Sequence, residues 1–123
     1  MQVNQISKIE PFNKNEDGTR NFMELNEEYF SRAERMLEIA VNKGFTPALV
    51  LLWSNYVPGT WASGILDKDI LPIESIEGYV KYVGEKFKKF KPIFIVSGDT
   101  DFPSERTIEY YRIALKDNKI YCT

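Results

Sequence analysis

The chain has no histidine and a single cysteine. The lack of histidine excludes the Ser-His-Asp and Cys-His arrangements of nucleophilic catalysis, and any zinc held by histidine. Cys122 has no second cysteine to pair with inside the chain and no histidine to activate it, so it reads as an incidental thiol. An excess of charge is missing too. Lys and Arg number 16 against 18 Asp and Glu, a net charge of −2, which leaves no basic footprint for nucleic acid. No apolar run approaches a membrane-spanning length, and the first residues do not read as a signal peptide. The chain as given therefore reads as cytoplasmic, with no nucleic-acid partner, no membrane partner and no cofactor implied by any motif.

What is present suits one ordinary globular domain. A length of 123 residues suffices for a single core, and the apolar (43%) and charged (28%) shares are those of a soluble protein. The aromatic share, 14%, is high. Much of it falls in stretches without helix or strand period, where rings either lid a core or stack on sugar and base ligands.

The most telling stretch is Lys91-Pro92-Ile93-Phe94-Ile95-Val96-Ser97-Gly98-Asp99-Thr100-Asp101-Phe102. From Pro92 to Val96 it is apolar without a break and rich in β-branched and aromatic residues. That is the pattern of a strand buried on both faces, as in parallel sheets covered by helices. Two carboxylates follow Ser97-Gly98 at once. In parallel α/β folds chemistry collects at the carboxyl ends of strands, so Asp99 and Asp101 stand where an active site belongs.

The rest of the chain alternates helix and strand. Residues 1–24 are weakly patterned: Gln2 to Ile9 has the makings of a short edge strand, and Glu10 to Gly18 is turn-rich and reads as a loop. Asn26 is a good N-cap for a helix over 26–43, with Glu27 and Glu28 in its first turn. Its apolar face is Phe30, Ala33, Leu37, Ala40 and Val41, and Gly44 is its terminator. Residues 46–53 read as a buried strand ending in Trp53, and residues 54–72 as a long loop after it. A second amphipathic helix spans 74–90, carrying Ile76, Tyr79, Val80, Val83, Phe87 and Phe90 on one stripe and Lys86, Lys88 and Lys89 as a solvated end. The strand over 92–97 follows, then a helix over 104–117 with Ile108, Tyr111 and Leu115 on one face. Lys119 to Cys122 reads as the start of another strand. The fold class is thus α/β with parallel βα units. It is either a small open domain or an incomplete part of a (β/α)8 barrel, which needs roughly 250 residues. The pattern breaks off at both ends, which favours the part and allows chains to associate to complete the sheet.

Several of these segments resemble one family. They are Asn26-Glu27-Glu28-Tyr29-Phe30 opening a helix, Asn42-Lys43-Gly44-Phe45 closing it, the strand end Leu51-Leu52-Trp53, and the strand Ile93 to Asp101 ending in Ser97-Gly98-Asp99. Their order and spacing resemble the apiosidase-like glycoside hydrolases, in which a helix opening "NxxYF" leads to a strand ending "TW" or "LW" and a later strand ending "GGD" or "SGD". The resemblance runs from about residue 11 to 118 and implies a (β/α)8 barrel that hydrolyses glycosidic bonds of plant or microbial polysaccharides. It puts the family's acid/base aspartate on Asp99, with Ser97 in place of the first glycine. The family's second catalytic carboxylate comes from a later strand, and no residue here matches it.

Most glycosidases need two carboxylates at the scissile bond, one of them a proton donor. In that reading Asp99 is the acid/base, Trp53, Tyr56 and Trp61 form a wall on which a sugar stacks, Asn55 bonds a hydroxyl, and Asp101 supports the site. The plainer reading makes Asp99 and Asp101 caps of the following helix and Trp53 part of the core. Three other functions remain open from the residues: a non-catalytic carbohydrate-binding module, a barrel piece without activity of its own, and metal-dependent phosphoryl transfer through Asp99-Thr100-Asp101. The last resembles the DxD of haloacid-dehalogenase-type phosphatases, in which the first Asp follows the strand directly with Thr or Val four residues on; here Ser97-Gly98 intervenes and Pro103 occupies that place.

Overall fold

The computed structural model describes residues 9–65 and 69–117. In chain order these form β1 (Phe12–Lys14), β2 (Arg20–Leu25), α1 (Glu27–Asn42), β3 (Ala48–Trp53), a 3-10 turn (Ser54–Tyr56), α2 (Trp61–Ile65), α3 (Ile73–Phe87), a second 3-10 turn (Lys88–Phe90), β4 (Ile93–Gly98) and α4 (Glu105–Asp117). The strand segment suggested at Gln2 to Ile9 and the one at Lys119 to Cys122 fall almost wholly outside the described residues.

The structure corrects the sequence reading in its first part. Glu10 to Gly18 is not a loop throughout: β1 and β2 pair antiparallel as a hairpin. Its turn is pinned by Asn15 N donating to Thr19 O (2.7 Å) and by Asp17 Oδ1 accepting from the Thr19 backbone (3.0 Å) and hydroxyl (2.6 Å). Phe12 is buried, with its ring edge-on to Phe22 at 5.1 Å and near Tyr79 at 6.0 Å. Such short strands carry little period of their own; packing of Phe12 supplies what pattern does not.

The first helix starts and stops where local chemistry dictates. Asn26 Oδ1 accepts from Glu28 N (3.1 Å). At the other end Gly44 has φ +90, its N–H bonds to Val41 O (2.9 Å), and Phe45 N–H bonds back to Ala40 O (3.0 Å). That pair of bonds is a Schellman closure, which needs a left-handed residue and so favours glycine.

β3 and β4 lie parallel with α3 between them in sequence, Ala48 opposite Ile93 and Trp53 opposite Gly98. Leu49, Leu51, Phe94 and Val96 face the helices and join a core with Ile76, Val80, Val83 and Phe87 of α3 and Tyr111 and Ala114 of α4. Burial of each large apolar side chain there contributes about 1.5–3 kcal/mol. The expectation of strands buried on both faces is met only in part. On the opposite face Leu52 is buried, yet Ala48, Val50, Ile93 and Ile95 are exposed. The physical reason is that, among the described residues, α3 and α4 cover one side of this two-stranded sheet and the other lacks a second layer.

Two further differences concern helices. The α-helix expected to reach Phe90 ends at Phe87 and tightens into a 3-10 turn, closed by Lys91 in the left-handed region (φ 49). Lys86 and Lys89 there reach Glu34 of α1 at 3.9 and 3.3 Å, so the lysines fasten helix to helix as well as meeting solvent. α4 is rotated from the face expected: Thr107, Tyr110, Tyr111 and Ala114 are buried and Leu115 is exposed. Hydroxyls set that rotation, because Tyr110 Oη donates to Leu71 O (2.7 Å) and Thr107 Oγ1 to Pro58 O (2.7 Å).

Candidate active site

β3 and β4 end side by side, so the residues that follow them meet at one rim. Trp53 closes β3, 45% exposed, and its ring lies over Gly98 of β4. A Cβ on Gly98 would come within 2.5 Å of Trp53 Cζ3, so the glycine is required by close approach and not by its backbone angle. Asp99 follows in the left-handed region with φ 56, uncommon for a residue with a side chain.

The loop after β3 is not structureless as the sequence suggests. After the 3-10 turn, Thr60 caps α2: its hydroxyl donates to Ser54 O (2.6 Å) and accepts from Ser63 N (3.2 Å). Thr60 and Ser63 are both buried, so this five-residue helix sits on a satisfied polar base. It brings Trp61 back across the rim, where the indole Nε1–H donates to the backbone oxygen of Asp99 (2.9 Å). Trp53, Asn55, Trp61, Ala62 and Ile65 line a cavity of about 290 Å³ beside that bond.

Asn55 lines the cavity and is itself held. Its Nδ2–H donates to Asp69 Oδ2 (3.2 Å). Asp69 is also bound by the Arg20 guanidinium of β2, whose Nε–H donates to Glu10 (3.2 Å). This chain of charge-assisted bonds ties the hairpin to the loop. The sequence places Glu10 only in a turn-rich stretch and gives Arg20 no role, since no local signal marks either as a partner of this loop. Thr60 was findable, since a threonine before a short apolar run is a capping pattern.

Of the residues expected to share a site, Trp53, Asn55, Trp61 and Asp99 come together. Tyr56 turns the other way, its ring 6.4 Å from Phe12 and edge-on, and burial pushes its phenol up. Asp101 is exposed two residues beyond Asp99. Next to it Phe102 has φ 55 and packs edge-on against Tyr111 at 5.3 Å. A cavity of about 340 Å³ between α3 and α4, lined by Ile73, Glu74, Glu77, Ile113 and Lys116, touches none of these. Among the described residues no group of three or more His, Cys, Asp or Glu is arranged to hold a metal ion, and no helix is long and apolar enough to cross a membrane.

The parallel βαβ unit thus gathers one carboxylate, two indoles and an amide at one rim, where most glycosidases use a pair of carboxylates. The comparison with family models gives the family: the model of the apiosidase-like catalytic domain matches residues 1–120, and the chain belongs to that family. No curated protein and no solved structure matches the chain.

Proposed function

We propose that the chain carries the acid/base side of a glycosidase site, with Asp99 as the general acid/base and a plant or microbial polysaccharide as substrate. Trp53 and Trp61 stack on a sugar ring, Asn55 bonds a hydroxyl, and Tyr56 and Asp101 brace the surrounding loops. The βαβ unit is, in this reading, part of a (β/α)8 barrel. What supports the barrel is the exposed apolar face of Ala48, Val50, Ile93 and Ile95, the side that would turn inward in a closed sheet. The observation that carries the site is the bond from Trp61 to the Asp99 backbone at the edge of a cavity lined by both tryptophans.

The test uses a panel of plant and microbial cell-wall oligosaccharides, with the purified chain for binding and an active, full-barrel member of the family, which supplies the second carboxylate, for hydrolysis. Tryptophan fluorescence reports binding, and released reducing ends report hydrolysis. Asp99→Asn keeps the side chain's shape and loses the proton donor. The reading expects saturable quenching of the purified chain with or without Asp99→Asn, and sugar release by the full-barrel enzyme that the matching Asp→Asn variant loses. Equal hydrolysis by the variant, or no quenching across the panel, sinks it. A second reading, a non-catalytic carbohydrate-binding piece, is favoured by one observation: Asp69, the carboxylate bonded to Asn55 of the cavity, is occupied by Arg20, so among the described residues it offers Asp99 no free carboxylate partner. Quenching without any sugar release is its signature.

A further inference from the structure

We propose that Trp61 is a positioning residue for Asp99: its indole N–H holds the aspartate in its left-handed turn while its ring forms the cavity wall. The inference rests on the reading of Asp99 as the acid/base. Its geometric half stands without that reading.

A left-handed residue bearing a Cβ is held there against its own preference, and released it relaxes to the ordinary right-handed or extended regions. For Asp99 that relaxation would rotate the carboxylate away from its present direction. The neighbouring residue has no room to give, because Gly98 lies under the Trp53 ring with a Cβ position 2.5 Å from Cζ3. The Asp99 carbonyl is then fixed by Trp61 Nε1–H at 2.9 Å, across 38 residues of sequence. The donor is itself anchored, since α2 rests on Thr60, whose hydroxyl bonds Ser54 O at 2.6 Å and Val57 O at 3.0 Å. Two indoles therefore grip consecutive backbone units, one by ring contact and one by hydrogen bond. Trp61 is 58% exposed and lines the cavity of about 290 Å³. A ligand stacked on its ring bears on the same side chain that aims the carboxylate, so occupancy of the cavity and the position of Asp99 are joined through one residue.

Trp61→Phe separates the two roles, keeping an aromatic face and deleting the donor. In the variant the Asp99 backbone carbons are expected to lose their left-handed chemical shifts. Oligosaccharide quenching reported by Trp53 is retained. Where the parent turns over substrate, kcat falls roughly tenfold to a hundredfold with KM little changed, the pattern of lost positioning. Asp99 backbone resonances identical to the parent's overturn the proposal. In the parent protein, the Trp61 indole proton exchanges with solvent more slowly than that of Trp53; equal, rapid exchange also overturns it, and this measurement does not depend on the variant folding. If Trp61→Phe frees the turn in a protein that neither binds nor cleaves oligosaccharides, the positioning role stands and the glycosidase reading falls.

Discussion

Asp99 carries a conformational burden that glycine would not. Left-handed backbone at a non-glycine residue costs on the order of 1 kcal/mol, and Asp99 has φ 56. Asp99→Gly is therefore expected to raise stability by about 0.5–1 kcal/mol in denaturant melts, whatever it does to activity. A loss of stability would mean that the aspartate side chain itself holds the turn. The buried tyrosines allow a second contrast. Tyr110 Oη bonds Leu71 O at 2.7 Å, whereas the buried Tyr111 Oη has no hydrogen-bond partner among the described residues. Tyr110→Phe strands a carbonyl and should cost about 1–2 kcal/mol, while Tyr111→Phe removes an unsatisfied hydroxyl and should be neutral or slightly stabilising. Equal losses in thermal melts of the two variants would refute the distinction.

At the level of elements, the hairpin and the loop after β3 depend on each other. Neither has the length or period to order alone; the link is Arg20 with Glu10 and Asp69, and Asp69 with Asn55. The Arg20 and Asp69 side chains are 33% and 16% exposed, so their pairing is worth more than that of a surface ion pair. A double-mutant cycle of Arg20→Leu and Asp69→Asn should give a coupling of about 0.5–2 kcal/mol, with Arg20→Leu also weakening quenching of the tryptophans by sugars through Asn55. Strict additivity would show that hairpin and loop fold independently. The turn Pro58-Gly59 has a matching role for α4. Gly59 has φ +81, and a Cβ there would meet Thr107 Oγ1 at 2.7 Å, the atom that bonds Pro58 O. A small residue at the turn thus decides how α4 rotates onto the loop.

Across the whole molecule, several phenols are packed into the core or against it, and this sets its response to alkali. Burial pushes Tyr111 up to about 12 and raises Tyr56, Tyr79 and Tyr110 as well. A raised phenol keeps its proton in the folded chain where the unfolded chain gives it up. Stability is thus whole below pH about 10 and falls as pH rises from there toward 12. Denaturant midpoints measured against pH, with tyrosinate absorbance alongside, should show that fall; a flat profile to pH about 12 would contradict it. Much of this molecule was readable beforehand. Asn26, the spacing of Phe30, Ala33 and Leu37, and Gly44 mark α1; Ile76, Val80, Val83 and Phe87 mark α3; and the apolar runs before Trp53 and Ser97 mark β3 and β4. Those features are local: caps, periods and runs act within a few residues, so sequence order alone expresses them. The same locality put Trp53 and Asp99 at strand ends and made the family recognisable. The hairpin under Phe12, the rotation of α4 by two hydroxyls, the inward turn of Tyr56 and the open face of the sheet were decided only by tertiary structure. So was the bond from Trp61 to Asp99, because contacts between residues tens of positions apart exist only once the elements between them have packed.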